Sequence, residues 1–216
     1  MNSIEFSKDL ISFIDASPLN YFAVKNASEI LEDNGFKKLR EDEVWDLSKG
    51  KYYTTRDDSA LVAFEIGEDV KKGFEIIGSH TDSPTFKIKS NPEMVDGGFL
   101  KLNIEGYGGM IHSTWLDRTL SLAGKVAYKK DKNIEYGLVN IDRDLLTIPN
   151  AAIHMNREIN KGYAYNPQEN LYPLVETIRE NLEKENYLVN LLAVELKISP
   201  EDILDFDLGL YDRQKG

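Results

Sequence analysis

Phe74-Glu75-Ile76-Ile77-Gly78-Ser79-His80-Thr81-Asp82-Ser83-Pro84 is the stretch on which the reading turns. Its first five residues are apolar enough for a strand in a buried sheet interior. His80, Thr81 and Asp82 follow at the carboxyl end of that strand, where open α/β sheets place their sites. Upstream, Phe6, Leu10, Phe13 and Ile14 keep helical spacing. Ser17-Pro18 interrupts it, and Tyr21, Val24, Ala27, Ile30 and Leu31 resume it until Asn34-Gly35 supplies a stop. Both helices are expected to pack one face on a core. Lys51 to Thr55 and Leu61 to Ile66 read as strands, so the first part of the chain is predicted to be an α/β layer.

Beyond about residue 90 the texture changes. Phe86 and Ile88, then Leu100, Leu102 and Ile104, then Leu122, Val126 and Tyr128 alternate between turns marked by Gly97-Gly98, Gly106, Gly108-Gly109 and Gly124. This predicts a second, β-rich unit, with residues 1–90 as the first part and 91–216 as the second. Within it Pro173 opens a predicted helix with Leu174, Val175, Ile178 and Leu182 on one face. Tyr187 to Leu196 reads as a strand, Ser199-Pro200-Glu201-Asp202 as a cap with proline at the first helical position, and Ile203 to Tyr211 as a further strand.

Composition narrows the functions available. The 216 residues carry 26 Lys plus Arg against 37 Asp plus Glu, a formal charge of -11, which repels phosphate backbones and anionic membranes. Neither a nucleic acid nor a membrane is an expected partner. With no cysteine, disulfides, thiolate zinc sites and cysteine nucleophiles drop out together. The charged amino terminus is unlike a signal peptide, and no run approaches the ~20 apolar residues of a membrane span. A soluble, cytoplasmic protein is expected.

Chemistry must draw on three histidines, His80, His112 and His154. On an extended backbone residues two apart point to the same side, so the Asp82 carboxylate can lie beside the His80 ring. A metal-bound imidazole usually gives its other N–H to a carboxylate, which fixes the tautomer and raises ligand basicity. His80-x-Asp82 therefore has the form of a metal ligand with its orienting partner. A surface histidine and aspartate in a turn before Pro84 would give the same spacing. Gly106-Tyr107-Gly108-Gly109 lacks the Lys-Ser/Thr or strand-to-helix context of a phosphate loop.

Four stretches, in order, resemble the aspartyl aminopeptidase family of dinuclear zinc exopeptidases. They are Ile76 to Pro84; Tyr107-Gly108-Gly109 with Ser113-Thr114-Trp115-Leu116-Asp117-Arg118; Ile148-Pro149-Asn150-Ala151-Ala152-Ile153-His154-Met155-Asn156-Arg157; and Asp205-Phe206-Asp207-Leu208 with Leu210-Tyr211-Asp212. The resemblance implies that His80 is a zinc ligand and Asp82 the carboxylate that orients it. It implies that the β-rich unit is a dimerisation insertion in the catalytic domain. It also implies that His154 reaches a neighbouring subunit's active site to help hold the reacting carbonyl. Without the resemblance, His154 would read as a histidine satisfied within its own unit. His112 is expected at the edge of the site or on the surface, and Asp117-Arg118 as an ion pair fixing a turn.

The remaining members of such a site, a bridging aspartate, a glutamate base, further acidic ligands and a final histidine, are implied to follow the Leu210-Tyr211-Asp212 stretch. The chain therefore reads as the amino-terminal half of a zinc aminopeptidase, truncated or split, and inactive alone. Peptides with amino-terminal acidic residues are the implied substrates, two zinc ions per complete site the implied cofactor, and homo-oligomerisation through the β-rich unit the implied assembly. A separate carboxyl-terminal half is a further candidate partner. Lys87, Lys89, Arg118 and Arg157 are the basic residues that could favour an acidic substrate. The competing reading is a non-catalytic oligomerisation module with a vestigial metal motif.

Overall fold

The computed structural model describes residues 2–69, 73–178 and 185–216. It divides into two units, one made of the residues up to Ser83 with Gly216, the other of Pro84–Lys215. No helix among the described residues is long and apolar enough to cross a membrane.

In the first unit, α1 (Ser3–Asp15) starts on a capping box. The Asn2 side chain accepts from the Ile4 and Glu5 amides at 3.1 and 2.9 Å, and the Glu5 carboxylate accepts from the Asn2 amide at 2.9 Å. The expected apolar stripe is there but unburied: α1 contributes no buried residue, and Phe6, Leu10 and Ile14 are more than half exposed. In α2 (Asn20–Asp33) Val24 is buried, so one helix of the two packs as expected. At the Ser17-Pro18 break, Asn26 of α2 donates from Nδ2 to the Ala16 carbonyl at 3.0 Å and to Ser17 Oγ at 2.9 Å.

A three-stranded sheet follows, ordered β1 (Lys37–Lys38), β2 (Gly50–Arg56) and β3 (Ala60–Ile66), with β1 parallel and β3 antiparallel to β2. Tyr53 of β2 is buried and its hydroxyl donates to the Glu32 carboxylate, tying the sheet to α2. Burial first, and then the bond to Glu32, push its pKa up to about 12 from 10.0. A folded-state pKa above the unfolded one gives stability that is complete below pH 10 and lost as pH rises toward 12. The unfolding midpoint of the unaltered chain is therefore expected to fall more steeply than that of Tyr53→Phe across this window, followed by circular dichroism in urea at stepped pH.

The expected strand at Phe74 to Gly78 is not formed. These residues have no regular secondary structure, and Phe74, Ile76 and Ile77 are almost wholly exposed. A strand exists through its ladder, and this run has no partner strand among the described residues. β3 is likewise the edge of its sheet, paired with β2 alone. Between β3 and Gly73–Thr81 lies a groove of about 1220 Å³, walled also by Phe13, Ala23, Val24 and Ala27 of the two helices.

The second unit is a six-stranded sheet ordered β7-β6-β9-β4-β5-β8, formed by β4 (Thr85–Asp96), β5 (Phe99–Tyr107), β6 (Leu120–Lys130), β7 (Asn133–Asn140), β8 (Leu174–Thr177) and β9 (Ile203–Asp212). The alternation read from the sequence is realised: Leu100, Leu102 and Ile104 are fully buried, as are Phe86, Leu122 and Val126. In β4 the register against β5 slips between Ile88 and Glu93, across Pro92, which has no N–H to give a ladder. β9 pairs with β6 from Leu120↔Asp212 to Tyr128↔Ile203 and with β4 at Lys87↔Gly209, so the last strand lies inside the sheet. Leu208 and Leu210 join Phe86, Ile88, Leu102 and Ile104 in one core.

Two expected elements exchange types. Leu174–Thr177, expected to be helical, is strand β8, with Leu100↔Glu176 pairing it to β5 and Thr147↔Leu174 bridging its other side. The rest of that expected helix, including Leu182, lies outside the described residues. Tyr187–Leu196, expected to be a strand, is helix α4, which buries Leu188, Leu192 and Ala193 on the core. Tyr-Leu-Val-Asn-Leu-Leu-Ala-Val-Glu-Leu is apolar on nearly every side, and such a run carries no period that separates helix from strand. Ser199 takes the N-cap position of a short 3₁₀ turn, Pro200–Asp202, with proline at the first helical position as expected, but its side chain makes no cap hydrogen bond there.

Candidate metal half-site and the M18 family

His80 and Asp82 lie side by side. Nδ1 of His80 is 3.3 Å from Asp82 Oδ1 and 2.7 Å from the Asp82 carbonyl oxygen. Thr81, between them, turns away and donates from Oγ1 to the Ser59 carbonyl at 2.7 Å, which pins this stretch to the turn joining β2 and β3. The chain bends at Thr81, whose side chain turns to the protein while His80 and Asp82 face each other. A proton on Nδ1, held by Asp82, leaves the lone pair on Nε2. The imidazole is 80% exposed, as an incompletely enclosed ligand would be.

A catalytic zinc usually has three protein ligands. No group of three or more His, Asp or Glu side chains among the described residues is placed to hold a metal ion. His80 with Asp82 fits one corner of such a site and does not fit a complete one.

The other two histidines lie in the second unit. His112 opens a 3₁₀ turn, His112–Trp115, with its ring centroid 5.9 Å from that of Phe86, while Trp115 meets Phe86 edge-on at 5.2 Å. It is half-buried on an aromatic cluster. His154 sits in a turn closed by the Met155 and Asn156 amides on the Ala152 carbonyl, at 2.8 and 3.2 Å. His154 and its neighbours Ile153 and Met155 are exposed.

The basic candidates separate in the same way. Lys87 reaches both Asp207 carboxylate oxygens at 2.8 Å and lies 4.9 Å from the Tyr107 ring centroid. Arg118 pairs with Asp212 of β9, which replaces the expected Asp117–Arg118 pair: Asp117 instead accepts the Asn150 amide at 2.9 Å. The sheet thus supplies both cations with their own anions. Lys89 donates to the neutral Gln168 side chain at 2.8 Å, and Arg157 is exposed on the His154 loop. The Asp117–Asn150 bond escaped sequence reasoning because its partners are 33 residues apart. The available signal was the residue type, since aspartate tolerates a left-handed backbone.

The family model described as Aminopeptidase I zinc metalloprotease (M18) matches residues 13–216. The chain belongs to the M18 aminopeptidase family. It is 50% identical to a probable M18 family aminopeptidase 2 of Clostridium acetobutylicum, over 100% of this chain and 51% of that protein. A probable M18 family aminopeptidase 2 of Pseudomonas putida is 39% identical over 95% of this chain and 49% of its own length. The M18 chain in the cryo-EM structure of the Ape4 and Nbr1 complex superposes with a TM-score of 0.90 at 37% identity, over 96% of this chain and 44% of that one. The S. cerevisiae mApe1 dodecamer gives 0.81 at 28% identity, over 100% of this chain and 50% of that one. This chain thus spans about half the length of the M18 relatives it matches.

Proposed function

We propose that this chain supplies the amino-terminal half of a zinc-dependent aminopeptidase that removes amino-terminal residues, preferentially acidic ones, from peptides. The observation that carries the reading is the His80 imidazole set beside Asp82, its Nδ1 2.7 Å from the Asp82 carbonyl oxygen and 3.3 Å from the carboxylate, within an M18 chain. His80 is the metal ligand and Asp82 its orienting partner in a site for two zinc ions. The missing ligands come from a complementary carboxyl-terminal half, and without it the chain is inactive. One observation supports that partner: Phe74, Ile76 and Ile77 stand exposed beside the groove at the edge of β3. Burying such a run on a partner would contribute roughly 25 cal/mol per Å² of apolar surface removed from water.

Residues 1–90 are the first part of the catalytic domain and 91–216 the inserted dimerisation domain. The enzyme is a cytoplasmic homo-oligomer, a reading supported by the dodecameric relative. His154 acts in the site of a neighbouring subunit. For the acidic preference, Arg157 and Lys89 stand ahead of Lys87 and Arg118, whose charges are already answered by Asp207 and Asp212.

The test mixes this chain with the carboxyl-terminal half of the Clostridium acetobutylicum relative, zinc, and aspartyl, glutamyl and leucyl chromogenic amides. Turnover requiring both polypeptides and zinc, faster on the acidic amides, is expected. A complex that forms, keeps His80 and cleaves nothing would count against the reading and leave a non-catalytic oligomerisation module in its place.

A further inference from the structure

We propose that Asp117 is a positioning residue: its carboxylate fixes the root of the loop that carries His154. The proposal deepens the aminopeptidase reading, because the loop matters to catalysis only if His154 does. Leu116 bridges Ile148 in parallel and Leu120 bridges Leu146 antiparallel, so the chain reverses between them. Asp117 makes the reversal with a left-handed backbone, φ 58°. Its amide donates to the Ile148 carbonyl at 2.9 Å, continuing the pairing set by the Leu120 amide on the Leu146 carbonyl, also at 2.9 Å.

One step further a side chain takes the acceptor's place: Asp117 Oδ1 accepts the Asn150 amide at 2.9 Å. The carboxylate thus caps the pairing where the chain leaves the sheet. From Asn150 to Ala164 every residue is exposed except Asn156 and Ile159, which are half-buried. His154 lies four residues past the Asp117 contact, inside a turn in which the Met155 and Asn156 amides both donate to the Ala152 carbonyl. With so few contacts in the loop, its direction is set at its root, and a small angular change there displaces the imidazole several residues on.

Three substitutions separate the contributions. Asp117→Asn keeps both Oδ1 and tolerance of the left-handed backbone, Asp117→Gly keeps the backbone alone, and Asp117→Ala loses both. Amide hydrogen exchange on the full chain is expected to quicken about tenfold at Asn150, Met155 and Asn156 in Asp117→Gly, with Leu120 and Leu146 unchanged and Asp117→Asn close to the unaltered chain. General destabilisation would speed Leu120 and Leu146 equally. In the enzyme reconstituted with its complementary half, Asp117→Gly should lower kcat about tenfold with KM nearly constant, and Asp117→Asn should restore it. Unaltered exchange at Asn150 in Asp117→Gly, equal acceleration at Leu120, or equal loss of kcat in the Gly and Asn variants would each overturn the proposal. Absence of turnover in the unaltered reconstituted enzyme would sink the aminopeptidase reading instead, and the exchange measurement would still decide the anchoring.

Discussion

Gly124→Ala unfolds the second unit under conditions where Gly109→Ala leaves it intact. Gly124 lies in β6 with φ +156°, and a Cβ there would stand 2.1 Å from the Asp207 carbonyl oxygen and 2.9 Å from Leu208 Cα. Both are backbone atoms of β9, so no rotamer change relieves the clash. β6 and β9 are neighbours inside the six-stranded sheet, in register at Gly124↔Leu208, and separating them breaks the ladder that carries Leu122, Leu208 and Leu210 into the core. Overpacking a well-packed interior costs roughly 1–3 kcal/mol, and a clash against the backbone of the neighbouring strand belongs at or above the upper end. Against a total stability of about 5–15 kcal/mol, that loss is large. At Gly109 a Cβ meets open space. Urea unfolding followed by tryptophan fluorescence in a Trp45→Phe background, which leaves Trp115 to report on the second unit, should show a lower midpoint for Gly124→Ala with an unchanged slope. Coincident curves for the two variants would show that β6 and β9 are not packed this closely.

The second large effect falls on the metal. On the proposed assignment, His80→Ala removes a zinc ligand from the enzyme reconstituted from both halves, and His112 is engaged by the Phe86 ring, centroids 5.9 Å apart. Catalytic activity should fall below detection. Asp82→Asn keeps the shape but weakens the hold on the Nδ1 proton, and loss of such an orienting partner typically costs about 10–100-fold in metal affinity or activity. Excess zinc should therefore rescue Asp82→Asn and fail to rescue His80→Ala. Equal activity in all three proteins would remove His80 and Asp82 from the site.

What could be read from the sequence depended on how local the cause was. Period-two alternation placed Leu100, Leu102 and Ile104 correctly, because the inner face of a sheet imposes it residue by residue. His80 and Asp82 do lie together, as their spacing suggested, but at a bend centred on Thr81 rather than on an extended strand. Tyr187–Leu196 and Leu174–Thr177 were misread because an apolar run and a four-residue strand carry too little period, and their type is set by docking on β5 and the core. Phe74 to Gly78 has the composition of a buried strand yet stands exposed, since burial needs partners and composition only records what they would be. The ion pairs of Lys87 with Asp207 and Arg118 with Asp212, 120 and 94 residues apart, depend on the placement of β9 and were invisible beforehand.

Zinc content tells most directly whether His80 and Asp82 belong to a site completed by a second polypeptide. Metal would be measured after exhaustive dialysis on this chain alone, on its purified complex with the complementary half, and on the same complex carrying His80→Ala. Stoichiometric zinc in the unaltered complex, with none in the isolated chain and a marked deficit in the His80→Ala complex, is the predicted outcome. A stable complex that retains no zinc, or one whose zinc content is indifferent to His80, would contradict it.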